Sequence, residues 1–229
     1  MSRGDVKTRV ERLLRGDDPE EAMAQLSCLP ARKVVNALFS FLYAGEVVLK
    51  MRAISAMGKV VERLANQDME SARVILRRLM WNLNDESGGI GWGSAEAMGE
   101  ILACHEGLAR EYAPILLSYA RKDGNFQEHE IMQRGVLWGI GRLAQVNPAV
   151  VEDAVPHVAL FLNSNDATVR GYAVWVMGMA APGTTTDEIE ALLSDDAEIQ
   201  IWRNHHLETC RVKELAEEAL GRALAPHRH

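Results

Sequence analysis

Apolar residues recur along the chain with a helical period, and one ten-residue motif ends in glycine at nearly regular intervals. The clearest copies run from Val212 to Gly221 and from Val169 to Gly178; both open with an apolar and a basic residue and close with two apolar residues and glycine. Looser copies end at Gly58, Gly99 and Gly141, so consecutive glycines are 41, 42, 37 and 43 residues apart. This spacing predicts stacked helix pairs, with the motif on the second, or marker, helix of each pair.

The apolar pattern also predicts where the elements lie. Marker helices are expected near residues 46–65, 93–104, 131–145, 167–180 and 210–223. An apolar helix precedes each one, and in the second pair its apolar stripe is read as Val74, Leu76, Leu79, Met80 and Leu83.

Capping signals and one alternating stretch complete the predicted architecture. Asp18 before Pro19 is typical of a helix start, as is Thr186 before Asp187. Residues 198–209 alternate around Asn204, which predicts a small β-hairpin inserted in the last repeat. A single domain is expected: capping helices over 1–30, four helix pairs over 31–183, and a C-terminal repeat with the hairpin over 184–229.

The five motifs resemble the HEAT-repeat family, in its PBS-lyase-like branch, over about residues 31–224. The chain as a whole resembles small bacterial HEAT-repeat proteins without an assigned activity. The resemblance implies an all-α fold, a right-handed α-α superhelix of the HEAT/armadillo type, with marker helices on the concave side and intra-repeat turns on one rim. In HEAT proteins the basic residue of the motif commonly ties neighbouring repeats together. Here that position holds Gly91 and Gln133 in the second and third copies, so we expect this ladder to be broken there.

Charge is unevenly placed along the 229 residues, whose net charge is −7. Residues 1–80 hold 14 Lys and Arg against 10 Asp and Glu, whereas residues 81–229 hold 11 against 22. The acidic part argues against tight nucleic-acid binding, which needs clustered cations. Cys28, Cys104 and Cys210 are too scattered to suggest a disulfide framework or a zinc site. No signal segment or membrane span is recognised, so a cytoplasmic protein without membrane contact is expected.

Three enzyme branches of the family offer an alternative. One resembles deoxyhypusine hydroxylase and binds iron through His-Glu pairs inside the marker helix. Here His105-Glu106 follows a marker helix and His129-Glu130 precedes one, so the ligand set does not transfer. The other branches are alkylpurine DNA glycosylases, whose cationic groove does not match the acidic charge, and bilin lyases, which nothing beyond the repeats specifies. No metal and no cofactor are therefore expected.

Residues 88–93 form a glycine-rich turn, Gly-Gly-Ile-Gly-Trp-Gly. One interpretation is a turn that needs positive φ and close packing of the next repeat. The other is an amide cradle for an anion at a helix N-terminus, which the adjacent Asp85 and Glu86 oppose.

A column of large and charged residues on the middle marker helices is the candidate binding surface. The residue three before each glycine, with its neighbours one turn away, predicts partner contacts from Trp92, Glu96, Glu100, Arg134, Trp138, Arg142 and Trp175. The alternative is that these Trp residues pack between repeats.

The leading hypothesis is a non-enzymatic interaction module that holds a protein or peptide segment in its concave groove, because exposed Trp beside Arg is typical of binding hot spots. The alternative is a ligand- or metal-binding enzyme that uses the rim turns of repeats two and three. The residues of those turns are Asp85, Glu86, Glu128, His129 and Glu130.

Overall fold

The computed structural model describes residues 3–84 and 91–221, most of which are helical. The α-helices are α1 Arg3–Leu14, α2 Pro19–Ser27, α3 Ala31–Phe39, α4 Val47–Gln67, α5 Met69–Leu83, α6 Ser94–Cys104, α7 Glu106–Ser118, α8 Glu130–Val146, α9 Pro148–Val151, α10 Val155–Val158, α11 Ala167–Ala180, α12 Asp187–Ala191 and α13 Val212–Ala219. Two strands, β1 Glu198–Arg203 and β2 His206–Arg211, pair as one two-stranded sheet.

The chain forms two compact units, and each is described by itself. The first comprises Met1–Glu111 with Asn204–His206, and the second comprises Tyr112–Arg203 with Leu207–His229. The single domain expected from the sequence stays a prediction.

In the first unit, α4 is the central helix and packs against α3, α5 and α6. Two acidic caps fix where helices start. The Asp18 carboxylate accepts hydrogen bonds from the backbone N–H groups of Glu20 and Glu21 at the start of α2, and Asp68 accepts one from Ser71 at the start of α5. Such caps satisfy backbone donors that the first helical turn leaves unpaired. The predicted start after Asp18 is confirmed.

The apolar stripe of α5 is shifted from the predicted one. Its buried apolar residues are Ala72, Ile75, Leu76, Leu79 and Leu83. Val74, assigned to the stripe from the sequence, is 53% exposed, and that assignment was wrong. The buried residues follow the helical period among themselves, and Val74 lies outside that set.

In the second unit, α11 lies between α8 and α13 and packs against both. The helix that precedes α11 is broken into α9, α10 and two 3₁₀ segments, Glu152–Ala154 and Ala159–Asn163. Pro148 and Pro156 lie in the first turns of α9 and α10. Proline suits a first turn but cannot donate the hydrogen bond that a helix interior requires, so these residues start short segments.

The hairpin and the marker helices are confirmed. Helices α4, α6, α8, α11 and α13 lie at the predicted positions, and α13 starts later than expected because β2 continues to Arg211. The hairpin turns at Asn204 and His205, with φ of 50° and 65°, the positive values that a type I′ turn needs at both central residues. Thr186 caps α12 by accepting a hydrogen bond from the N–H of Ile189.

Candidate interaction surface

Two of the motif glycines, Gly58 and Gly178, mark places where the next marker helix comes very close. A Cβ atom on Gly58 of α4 would lie 2.6 Å from Cγ of Glu100 on α6, and one on Gly178 of α11 would lie 2.9 Å from Cα of Ala219 on α13. An added Cβ would therefore require the neighbouring helix or side chain to shift at both positions. Glycine therefore has a packing role at these two positions, whereas the last motif glycine, Gly221, has a φ of 67° and open space around an added Cβ.

At Gly141, the side chain that comes very close is the ring of Trp175 on the next marker helix, α11. A Cβ atom on Gly141 would lie 2.2 Å from Cζ3 of the Trp175 ring, and the indole is 2% exposed. Trp138 is equally buried, and its Nε1 donates a hydrogen bond of 3.0 Å to the carbonyl oxygen of Trp202 on β1. The prediction that Trp138 and Trp175 face an open groove was wrong. Both rings belong to the core of the second unit, because this helix face meets neighbouring elements.

The acidic members of the predicted column are buried too. Glu96 is 7% exposed and Glu100 is 5% exposed. The ammonium group of Lys50 on α4 donates a hydrogen bond of 2.8 Å to Oε1 of Glu96 on α6. Glu96 is therefore a buried carboxylate whose charge is paired, which is how such groups are tolerated.

Arg134, one of the predicted partner contacts, forms an ion pair within the second unit. Its guanidinium forms a bidentate ion pair with Asp166, whose side chain is only 7% exposed. The same carboxylate caps α11 by accepting a hydrogen bond of 3.0 Å from the N–H of Val169. Arg134 thus ties α8 to the start of the next marker helix, so the ion pair holds two repeats together.

Gln133 and Arg134 together make the two kinds of contact that a single arginine makes in the fourth motif. In the fourth motif, Arg170 donates both to the carbonyl of Ser164 in its own turn and to Asp195 of the C-terminal repeat, just before β1. Gln133 keeps only the first of these functions, donating to the carbonyl of Gln127 in its own turn at 2.9 Å. Arg134 supplies the second. The described hydrogen bonds of Gln133 stay within its own turn, and the tie between repeats is made one residue along α8, by Arg134.

The Arg134–Asp166 pair predicts an acid-sensitive contribution to stability. Burial raises the pKa of Asp166, but hydrogen bonds from Arg134 and Val169 outweigh burial and hold the pKa below the usual range. Stability gained this way is complete above the unfolded pKa, about 3.9, and is lost as the pH falls through the native pKa.

We expect Asp166→Asn, which keeps a cap acceptor, to lower the free energy of unfolding by about 1 kcal/mol at neutral pH and by less below about pH 4. Urea unfolding across this pH range measures both; a difference that does not shrink in acid contradicts the assignment.

Trp92 and the turn before α6 behave differently from the rest of the column. Trp92 is 44% exposed, and Arg142 is half-buried. Gly93 has a φ of 76°, and a Cβ atom on it would lie 2.3 Å from the carbonyl oxygen of Leu42. The interpretation of this turn as a positive-φ site packed against a neighbouring repeat is confirmed at Gly93.

The rim-turn residues are only partly described. Glu128, His129 and Glu130 are exposed at the start of α8, whereas Asp85 and Glu86 lie outside the described residues. Within residues 3–84 and 91–221, no group of three or more His, Cys, Asp or Glu side chains is placed to hold a metal ion.

An exposed aromatic surface on α5 was missed by the sequence analysis. Trp81 is 66% exposed and Val74 is 53% exposed. Arg78 lies between them, and the spacing of four and three residues places all three on one helix face. We call Val74, Arg78 and Trp81 the α5 face.

A groove runs beside the α5 face, between α3 and α5. Its volume is about 310 Å³, and its lining residues are Arg32, Val35, Asn36, Phe39, Leu64, Ser71, Val74, Ile75 and Arg78. We call it the α3–α5 groove. This volume is at the small end for ligand pockets, about 300–1,000 Å³, and suits one or two side chains of a partner.

Comparison with known proteins identifies the repeat. The chain contains a HEAT-like repeat. The match covers residues 131–179, from the start of α8 nearly to the end of α11. An uncharacterized protein of Archaeoglobus fulgidus is 28% identical over 151 residues, which is 62% of this chain and 72% of that protein.

Solved structures of helical repeat proteins share the fold. An engineered protein aligns with a TM-score of 0.55 at 16% identity, over 96% of this chain and 98% of its own. A designed armadillo repeat protein in complex with the peptide (KR)4 aligns with a TM-score of 0.51 at 14% identity, over 94% and 98%. These likenesses support the predicted class, a mostly helical HEAT/armadillo-type repeat with a small two-stranded sheet near its C-terminus. Within the described residues, no helix has the length and apolarity needed to cross a membrane.

The repeated motif lies on the marker helices, so it predicted no contact surface on α5. The sequence of α5 nevertheless contains a pattern that indicates this face. Val74 and Trp81 are seven residues apart and fall outside the set Ala72, Leu76 and Leu79 that follows the buried stripe. Apolar residues outside a helix's main stripe indicate a second apolar surface.

Proposed function

We propose that the chain is a non-enzymatic protein-interaction module that binds a segment of another protein. Helical repeats of the HEAT and armadillo kind commonly mediate protein interaction, and a designed armadillo repeat protein with this fold is in complex with a peptide. Repeat folds suit this role because stacked units offer extended surfaces.

The exposed indole of Trp81 is the observation that carries the proposal. A Trp side chain that is 66% exposed leaves a large apolar area in contact with water, which burial against a partner would remove. Trp and Arg are enriched among residues that dominate binding energy, and Arg78 lies one turn from Trp81. The α5 face and the α3–α5 groove therefore replace the predicted column as the proposed contact surface.

Trp92 remains as a second proposed contact, since it is the exposed aromatic residue of the predicted column. Trp138 and Trp175 are not proposed as partner contacts, because a partner cannot reach rings that are 2% exposed. Glu96 and Arg134 already have internal charge partners. The rim-turn enzyme stays a prediction.

Trp81→Ala tests the proposed surface. Random 12-residue peptides displayed on phage would be selected on the purified chain, and the selected peptides measured by fluorescence anisotropy. We expect Trp81→Ala to weaken binding by about 2 kcal/mol, or roughly 30-fold in Kd, while the far-ultraviolet circular dichroism spectrum stays unchanged. The spectrum should persist because the ring is exposed.

Tyr43→Ala is the matched control, since it removes another exposed aromatic ring of the first unit, 48% exposed, that is not among the proposed contacts. Equal losses in both variants would place the contact on more than the α5 face. Selected peptides that bind both variants as tightly as the natural chain would overturn the proposed surface.

A further inference from the structure

The α3–α5 groove carries positive charge beside an apolar floor. Val35, Phe39 and Ile75 supply buried apolar surface. Two of the lining residues are arginines, Arg32 and Arg78, and none of the described lining residues is acidic. The groove therefore combines an apolar contact with a site for a negative charge.

Arg78 is held in place by the groove itself. Its guanidinium carbon lies 3.7 Å from the centre of the Phe39 ring, so the planar group stacks on the aromatic face. Its Nη1 donates a hydrogen bond of 3.3 Å to Oδ1 of Asn36. A guanidinium has five N–H donors, so a stacked Arg78 keeps donors for a partner at low cost in side-chain entropy.

Arg32 extends the positive charge toward the start of α5. Its Nη2 donates to Oδ2 of Asp68 at 3.1 Å and to Oγ of Ser71 at 2.6 Å, and its side chain is 72% exposed. Asp68 partly compensates its charge. Arg78 has no such acidic partner among the described contacts and is therefore the principal anion-binding group.

We propose that the α3–α5 groove recognises a protein segment in which an apolar residue is next to Asp or Glu, an inference that rests on the proposed function. The apolar side chain packs against Val74 and the groove floor. The adjacent carboxylate accepts hydrogen bonds from Arg78, whose fork of donors matches a carboxylate. Charge complementarity selects this occupant, since the groove lining is positive and residues 1–80 hold more basic than acidic residues.

Three sets of synthetic 12-residue peptides test this specificity. All carry the same varied apolar positions, and the remaining positions hold Asp and Glu, Lys and Arg, or Asn and Gln. We expect the natural chain to bind the acidic set at least about tenfold more tightly than the neutral set, as hydrogen bonds to charged groups predict. Arg78→Glu should abolish this preference and bind the basic set better, and Arg78→Gln should remove the preference alone.

Arg110→Glu is the matched control. Arg110 pairs with Glu106 on the exposed surface of α7 and is not a lining residue of the groove, so the variant changes net charge equally and should keep the acidic preference.

Binding that depends on Trp81 but is equal for acidic and neutral peptides overturns the acidic specificity and leaves the proposed function standing. Absence of any Trp81-dependent binding overturns both. Displacement of the peptides by a single-stranded oligonucleotide at physiological salt overturns the inference as well, because the groove would then bind phosphates.

Discussion

Replacing Trp138 by alanine is expected to lower the free energy of unfolding by about 3–5 kcal/mol, as for other buried Trp residues. The indole is 2% exposed, so the substitution leaves a cavity in the core of the second unit. It also removes the donor to the carbonyl of Trp202, 64 residues further along the chain. The loss of this contact should loosen the attachment of β1 to α8.

Urea unfolding followed by circular dichroism measures this effect. Trp138→Phe keeps an aromatic ring but loses the hydrogen bond, and should cost less than Trp138→Ala. Trp81→Ala is the exposed control and should change the free energy of unfolding by no more than about 0.5 kcal/mol. If Trp138→Ala were as mild as Trp81→Ala, the ring would be exposed in solution, and the predicted groove column would regain support.

Gly141→Ala is expected to destabilise the chain by about 3 kcal/mol, the upper end for overpacking a core. The added Cβ would lie 2.2 Å from Cζ3 and 2.5 Å from Cε3 of Trp175. This ring is buried and cannot move into solvent. The steric cost exceeds the gain of about 1 kcal/mol that alanine usually brings over glycine inside a helix.

A double-mutant cycle separates the clash from other effects. In Trp175→Leu the smaller side chain leaves room beside Gly141, so adding Gly141→Ala to that variant should cost little or stabilise the helix. Gly45→Ala is the control, since no atom lies within 4 Å of its added Cβ. Additive losses in the cycle would mean that Gly141 and Trp175 do not meet, because only interacting residues depart from additivity.

The failed predictions share one physical origin. Helical periodicity correctly grouped Glu96 with Glu100, and Trp138 with Arg142, on single helix faces. Periodicity cannot say which neighbour covers a face. Glu96 is buried because Lys50, 46 residues earlier, supplies a compensating charge. A carboxylate with such a partner is compatible with a core position, whereas an unpaired one is not.

On α5, the same limit of helical periodicity placed an exposed residue in the predicted core. Val74 looked like a core residue because it is apolar and lies near the stripe of α5. It is exposed because the buried face of α5 is the one that carries Ala72, Leu76 and Leu79. Trp81 then lies on the exposed side with Val74. Side-chain type alone did not distinguish this surface from the core.

The sequence by itself determined the repeat period, the positions of the marker helices, the cap at Asp18 and the hairpin, because hydrophobic periodicity, capping residues and turn residues act between near neighbours in the chain. Only the tertiary structure decided that Trp138 and Trp175 are core, that Arg134 is committed to Asp166, and that Trp81 is exposed. These outcomes depend on contacts between residues tens of positions apart. Such contacts arise when whole helices pack, and local sequence patterns do not specify them.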